Sequence, residues 1–195
     1  MEQIRTFIAI ELDESTKAGL AELQEWLQAE VPKDIVRWVR LGGIHLTLKF
    51  LGNVPATSIS GITEALQRAC RGFAPFSLTC GGLGCFPNPQ RPRVVWVGVE
   101  EETGALARLQ QAIEAEVAPL GYPTEKRSFH PHLTLGRAQR RAPSRDVRQL
   151  GEVIAKADVG RISEMEVQAV SLMRSDLKPG GAVYTQLATV RLEGI

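Results

Sequence analysis

Ile44-His45-Leu46-Thr47-Leu48 alternates apolar and polar side chains with the period of a β-strand, and its HLTL core returns as His132-Leu133-Thr134-Leu135 in the other half of the chain. A strand places His45 and Thr47 on one face, about 7 Å apart at about 3.3 Å of rise per residue, and turns Ile44, Leu46 and Leu48 to a core. His132 and Thr134 repeat this against Leu133 and Leu135. A shared tetrapeptide somewhere in a chain this long arises by chance roughly one time in a few. The chain has only 3 histidines, however. That two of them precede the same three residues by accident is on the order of one in a thousand. One His-x-Thr on a half-buried strand is ordinarily a solvated polar face, and the second copy is what turns the pair into a candidate site. His130 and His132 also form HxH, a spacing used by zinc, but no third ligand is signalled and neither motif holds a carboxylate. No metal and no cofactor are therefore expected.

Around these motifs, alternation and β-branched content predict strands near residues 4–10, 35–40, 44–50, 76–83, 93–99, 130–135, 166–173 and 183–192. Helical spacing falls between them. Leu20, Leu23 and Leu27 follow Asp13, a plausible N-cap; Ile59, Ile62, Leu66 and Cys70 stop at Gly72; Leu106, Leu109, Ile113 and Val117 end at Gly121; Val147, Leu150 and Ile154 follow Pro143 and Ser144. The link between 35–40 and 44–50 is too short for a parallel crossover. An antiparallel α+β fold is expected, as a single domain over 1–195, with the Gly- and Pro-rich stretch 81–92 an ordered surface loop between strands.

Composition narrows the class without naming a partner. The formal net charge of +1 gives no global case for a polyanion, but Lys126, Arg127, Arg137, Arg140, Arg141, Arg145 and Arg148 form a local basic excess around the second motif. Of these, Arg140, Arg141, Arg145 and Arg148 read more often as a solvated helix face than as an RNA track. Three cysteines without a CxxC pair read as reduced structural thiols. The short apolar run 7–10 is no signal-peptide core, and no stretch reaches membrane-spanning length, so a cytoplasmic protein without membrane contact is expected.

Two imidazoles with ordinary pKa near 6.5 can divide the roles of base and acid at neutral pH, and two hydroxyls can bond phosphoryl oxygens as charge grows on them. That set fits metal-free cleavage of a phosphodiester, best one already strained, such as a five-membered 2′,3′-cyclic phosphate. The two motifs, with Lys49-Phe50-Leu51-Gly52 after the first and Gly136-Arg137 after the second, resemble those of the two-histidine phosphoesterase superfamily. The flanks, Arg5 to Ile10, Trp38-Val39, Arg93 to Gly98, Phe129 to His132 and Leu172 to Ser175, are similar to the LigT-like RNA 2′,3′-cyclic phosphodiesterase family. The resemblance implies a bilobal fold of two pseudo-symmetric lobes, each with an antiparallel sheet and flanking helices, and a cleft between them. It implies an enzyme that opens RNA or oligonucleotide 2′,3′-cyclic phosphate ends to a 2′-phosphate, and a monomer is expected. His45 would be the proton donor, His132 the proton acceptor, and Thr47 and Thr134 phosphate ligands.

Arg137 matches a family arginine that contacts the nucleotide, and Phe50 stands at the same offset after His45. Both are candidate substrate-binding residues; strict alternation places them on the face opposite their histidine, so they reach the cleft only where the strand twists or ends, and for Phe50 core packing and base stacking are equally open readings. Two alternatives stand beside hydrolysis: 2′-5′ RNA ligation of tRNA halves by the same groups in reverse, and a non-catalytic RNA-binding module using residues 126–148.

Overall fold

The HLTL repeats become the two central strands of one antiparallel sheet, because burying their leucines on one face requires helices above and strands on both sides. The computed structural model describes residues 2–179 and 181–194. In chain order the elements are β1 (Gln3–Glu11), α1 (Glu14–Glu30), β2 (Val36–Trp38), β3 (His45–Pro55), α2 (Ile59–Cys70), β4 (Phe76–Phe86), β5 (Val94–Glu100), α3 (Ala105–Val117), β6 (His132–Ala138), α4 (Ser144–Lys156), β7 (Arg161–Val167), β8 (Ala169–Lys178) and β9 (Gly181–Arg191). The strand order is β7-β4-β5-β6-β3-β1-β8-β9, with β2 paired to β6.

Two half-sheets meet at β3 and β6, where Leu46 pairs with Leu133. The halves are related topologically: β1-α1-β3 pairs its strands around a helix, and β5-α3-β6 does the same. The helices cross between halves. Thr16 of α1 hydrogen-bonds Ser163 of β7 at 2.9 Å, and Gln110 of α3 donates to the Leu48 carbonyl of β3 at 3.4 Å. Ile8, Leu46, Leu48, Leu133 and Leu135 join Leu20, Leu66, Leu109 and Leu150 from the four helices in one continuous apolar core. The helices thus cover one face of the sheet, leaving the histidines on the other.

Local chemistry sets the element ends. Asp13 caps α1 by accepting the Thr16 N–H at 2.7 Å. The three thiols are free and buried, and burial alone pushes Cys70 up to about 12, which suits packing and not reactivity.

Two expectations need correction. The stretch 81–92 is not all loop, since β4 runs on to Phe86. Its glycines serve packing: Gly82 takes φ +67 at a bulge, and a side chain on Gly84 would come within 2.3 Å of the Trp96 ring. The strand expected over 166–173 is two strands, β7 and β8, interrupted at Gln168. There the chain leaves the edge of one half-sheet and enters the other. The alternation of β7 is thin because it is an edge strand, burying only Met165 and Val167.

Candidate active site

The pairing of Leu46 with Leu133 fixes the geometry of the motifs. Carried one residue each way, the antiparallel register sets His45 opposite Thr134 and Thr47 opposite His132. All four are half-buried, whereas Leu46, Leu48, Leu133 and Leu135 are buried on the helical side. His45 and His132 stand diagonally across this quartet, a relation that separates β-carbons by about 7–8 Å. A phosphate fits between two imidazoles so placed, with the threonines on the other diagonal.

Each histidine is oriented by the carbonyl two residues before it. Nδ1 of His132 lies 2.7 Å from the His130 oxygen, and the Gly43 backbone hydrogen-bonds the His45 imidazole. With Nδ1–H of His132 donating to a carbonyl, its Nε2 is the nitrogen left to face a substrate.

Aromatic side chains pack both imidazoles. His45 stacks on Phe7, ring centroids 4.5 Å apart, and meets Tyr184 edge-on at 4.9 Å. His132 meets Phe86 edge-on at 5.0 Å, with Trp96 at 6.3 Å. Tyr184 belongs to β9, three strands from β3, which on a flat sheet is about 14 Å away at about 4.8 Å per strand. The sheet therefore curls around the histidines and forms a groove. Burial among these rings lowers the His45 pKa from 6.5 to about 4, against the opposing effect of the Gly43 hydrogen bond. Sequence reasoning missed Phe7, Tyr184, Phe86 and Trp96 as site neighbours. Only strand order brings them there, and no local pattern marks them.

Both motifs carry the same irregularity. Along β3 and β1, Thr47 pairs with Ala9 but Lys49 with Ile8, so Leu48 is an extra residue; along β6 and β5, Thr134 pairs with Trp96 but Gly136 with Val95, so Leu135 is extra. These matched β-bulges shift the alternation by one. The burial patterns agree: Leu48 and Lys49 are both buried, as are Leu135 and Gly136, and the next residues, Phe50 and Arg137, are exposed. The expectation that strict alternation sends Phe50 and Arg137 to the core face is thus overturned. Phe50 is 67% exposed, its ring 6.2 Å from Phe7, so core packing is excluded for it. Because β3 and β6 are antiparallel, Phe50 and Arg137 lie at opposite ends of the groove.

The basic run is spread over a loop, a strand, a turn and a helix. Lys126 and Arg127 lie in the loop before β6, Arg137 on β6, Arg140 and Arg141 in a turn, and Arg145 and Arg148 on α4. No cluster of three or more His, Cys, Asp or Glu side chains able to hold a metal occurs among the described residues. No helix among them is long and apolar enough to cross a membrane.

Comparison with known proteins agrees with this geometry. Residues 12–179 match the family described as the 2′-5′ RNA ligase superfamily. The chain is 35% identical over 190 residues to an RNA 2′,3′-cyclic phosphodiesterase of Methanothermobacter thermautotrophicus, covering 97% of this chain and 100% of that protein. It is 36% identical over 191 residues to one of Thermotoga maritima, covering 98% and 97%. Among solved structures, a Thermus thermophilus protein superposes with TM-score 0.81 at 32% identity, covering 98% of this chain and 99% of that one. E. coli LigT complexed with 3′-AMP superposes with TM-score 0.77 at 26% identity and the same coverage.

Proposed function

The chain belongs to the 2′-5′ RNA ligase superfamily, and we propose that it is an RNA 2′,3′-cyclic phosphodiesterase that hydrolyses terminal 2′,3′-cyclic phosphate to a 2′-phosphate without a metal. The single observation that carries this reading is the Leu46–Leu133 pairing, which makes one quartet of His45, Thr47, His132 and Thr134 from two distant motifs. The near full-length relatives named RNA 2′,3′-cyclic phosphodiesterase support it.

In the reaction His132 takes a proton from water as its oxygen attacks phosphorus. The bond from phosphorus to the 3′-oxygen breaks in line, and His45 gives that oxygen a proton. Thr47 and Thr134 donate to the non-bridging oxygens as their charge increases. Burial among the aromatic rings favours neutral His45. Its donor role therefore depends on the substrate, whose phosphate anion enters beside the ring and favours the imidazolium. Donor and substrate charge arrive together. Arg137, with no ion pair among the described residues, contacts the nucleotide, and exposed Phe50 stacks on a base.

One chain supplies all four central groups, which supports action as a monomer, and the unpaired thiols support a reducing, cytoplasmic setting. Incubation of a cyclic-phosphate-ended oligonucleotide with the protein in EDTA tests the proposal. A 2′-phosphate end is expected, while a 3′-phosphate end or loss of turnover in EDTA would sink it. Ligation is the same step with the 5′-hydroxyl of a second RNA in place of water, its oxygen bonding phosphorus as the bond to the 3′-oxygen breaks, and added tRNA halves would reveal it as joined product.

A further inference from the structure

The two central strands are flanked differently beyond their bulges. After α1 the chain forms β2, which pairs with β6 from Gly136 to Ala138. The segment after α3 occupies the equivalent place in the other half, since it too precedes an HLTL strand and lies beside the far end of the other one. It forms no strand. Residues 121–127 are fixed to β3 by side chains instead: Nζ of Lys49 donates to Glu114 and to the Pro123 carbonyl, both at 2.6 Å, and Glu114 accepts the Glu125 N–H at 3.1 Å. Between this loop and β3 lies a hollow of about 520 Å³, bordered by Phe50, Leu51, Tyr122, Lys126 and Arg127. The hollow is shallow and open to solvent.

The charge in the hollow is positive and available. Lys49 is buried and neutralised by Glu114, and the Glu125 carboxylate is turned back onto the Lys126 and Arg127 backbone amides at 2.9 and 3.4 Å. Lys126 and Arg127 are exposed and form no ion pair among the described residues. Phe50 stands on the boundary between the hollow and the catalytic groove, 6.2 Å from the Phe7 ring that packs His45.

We infer that this hollow is a subsite for the RNA strand leading to the cyclic phosphate, holding the nucleotide 5′ to the terminal one with its phosphodiester against Lys126 and Arg127. The inference rests on the proposed hydrolase reading. An aromatic face beside two unpaired cations is the combination that holds single-stranded RNA, and the ion pair beneath the loop presets its shape.

The test compares kcat/KM on a nucleoside 2′,3′-cyclic phosphate and on a trinucleotide with the same end. Wild type should prefer the trinucleotide about tenfold, a typical scale for charge-assisted phosphate contacts. K126A/R127A should bring that ratio close to one by losing rate on the trinucleotide, and should flatten the salt dependence by about 0.7 per lost phosphate contact. Equal turnover of the two substrates by wild type, or an equal loss on both in the variant, overturns the subsite and leaves the hydrolase reading standing. Wild type inactive on both overturns that reading, and the subsite falls with it.

Discussion

The two halves of the groove use one backbone device and then diverge. In each, a bulge at the second leucine of HLTL turns the residue five after histidine toward the groove, Phe50 in one half and Arg137 in the other. The residue before it is buried in both, yet it is Lys49 in the first half and Gly136 in the second. Lys49 reaches Glu114 and ties down a loop, whereas a side chain on Gly136 would run into Val36 and Trp38 of β2 at 2.6 and 3.0 Å. Symmetry is thus kept at the quartet proposed to hold the phosphate and is given up where each end of the groove meets different surroundings.

The largest expected effect tests that divergence. Glu114→Ala strands a Lys49 that is only 7% exposed, and breaking a buried pair costs about 3–5 kcal/mol. A denaturant midpoint unchanged in this variant would show the first half to be as tolerant as a plain surface. Next come the threonines. Thr47→Val and Thr134→Val should each lower kcat by about 10²–10³, the cost of one donor to developing charge. A large effect from only one of them would break the equivalence of the two halves.

Smaller effects are expected at the diverged ends. Phe50→Ala should weaken substrate binding by about 1–3 kcal/mol, the scale of base stacking, appearing in KM more than in kcat. Arg137→Ala should do so by about 1.5–3 kcal/mol if its contact is to phosphate. The smallest is a pH effect at His45. Unfolded His45 takes its proton near 6.5 and folded His45 only near about 4. As pH falls between these values the unfolded state binds the proton first, so a stabilising contribution present above 6.5 is lost toward 4. His45→Leu should flatten that stretch of a Tm-against-pH curve; an unchanged slope would contradict the burial of the ring. By NMR, the pKa of wild-type His45 should rise when a 2′-phosphate product binds. If it stays near 4, the donor and acceptor roles must be exchanged.

Much of this site was legible because it is local. His45, Thr47, His132 and Thr134 owe their shared face to the two-residue period of a strand, which a sequence displays directly. That β3 and β6 are paired neighbours depends on a single long-range pairing, and the resemblance implied only two lobes facing each other across a cleft. The bulges were invisible, since Leu48 and Leu135 look like ordinary core residues and the extra residue shows only against the register of β1 and β5. For that reason alternation alone put Phe50 and Arg137 on the wrong face, although both were expected among the substrate-binding residues. The glycines of β4 misled in a related way, because a glycine needed beneath a tryptophan looks the same in sequence as one needed in a turn.

The central claim is that one phosphate is worked on by both halves together. Single-turnover hydrolysis of a 2′,3′-cyclic phosphate by wild type, His45→Ala, His132→Ala and the double variant tests it most directly. Each single loss should lower the rate by about 10²–10⁴, and the double variant should be little worse than either single one, because acid and base act in one step. A single variant that keeps near wild-type rate, or losses that multiply in the double variant, would contradict a shared site.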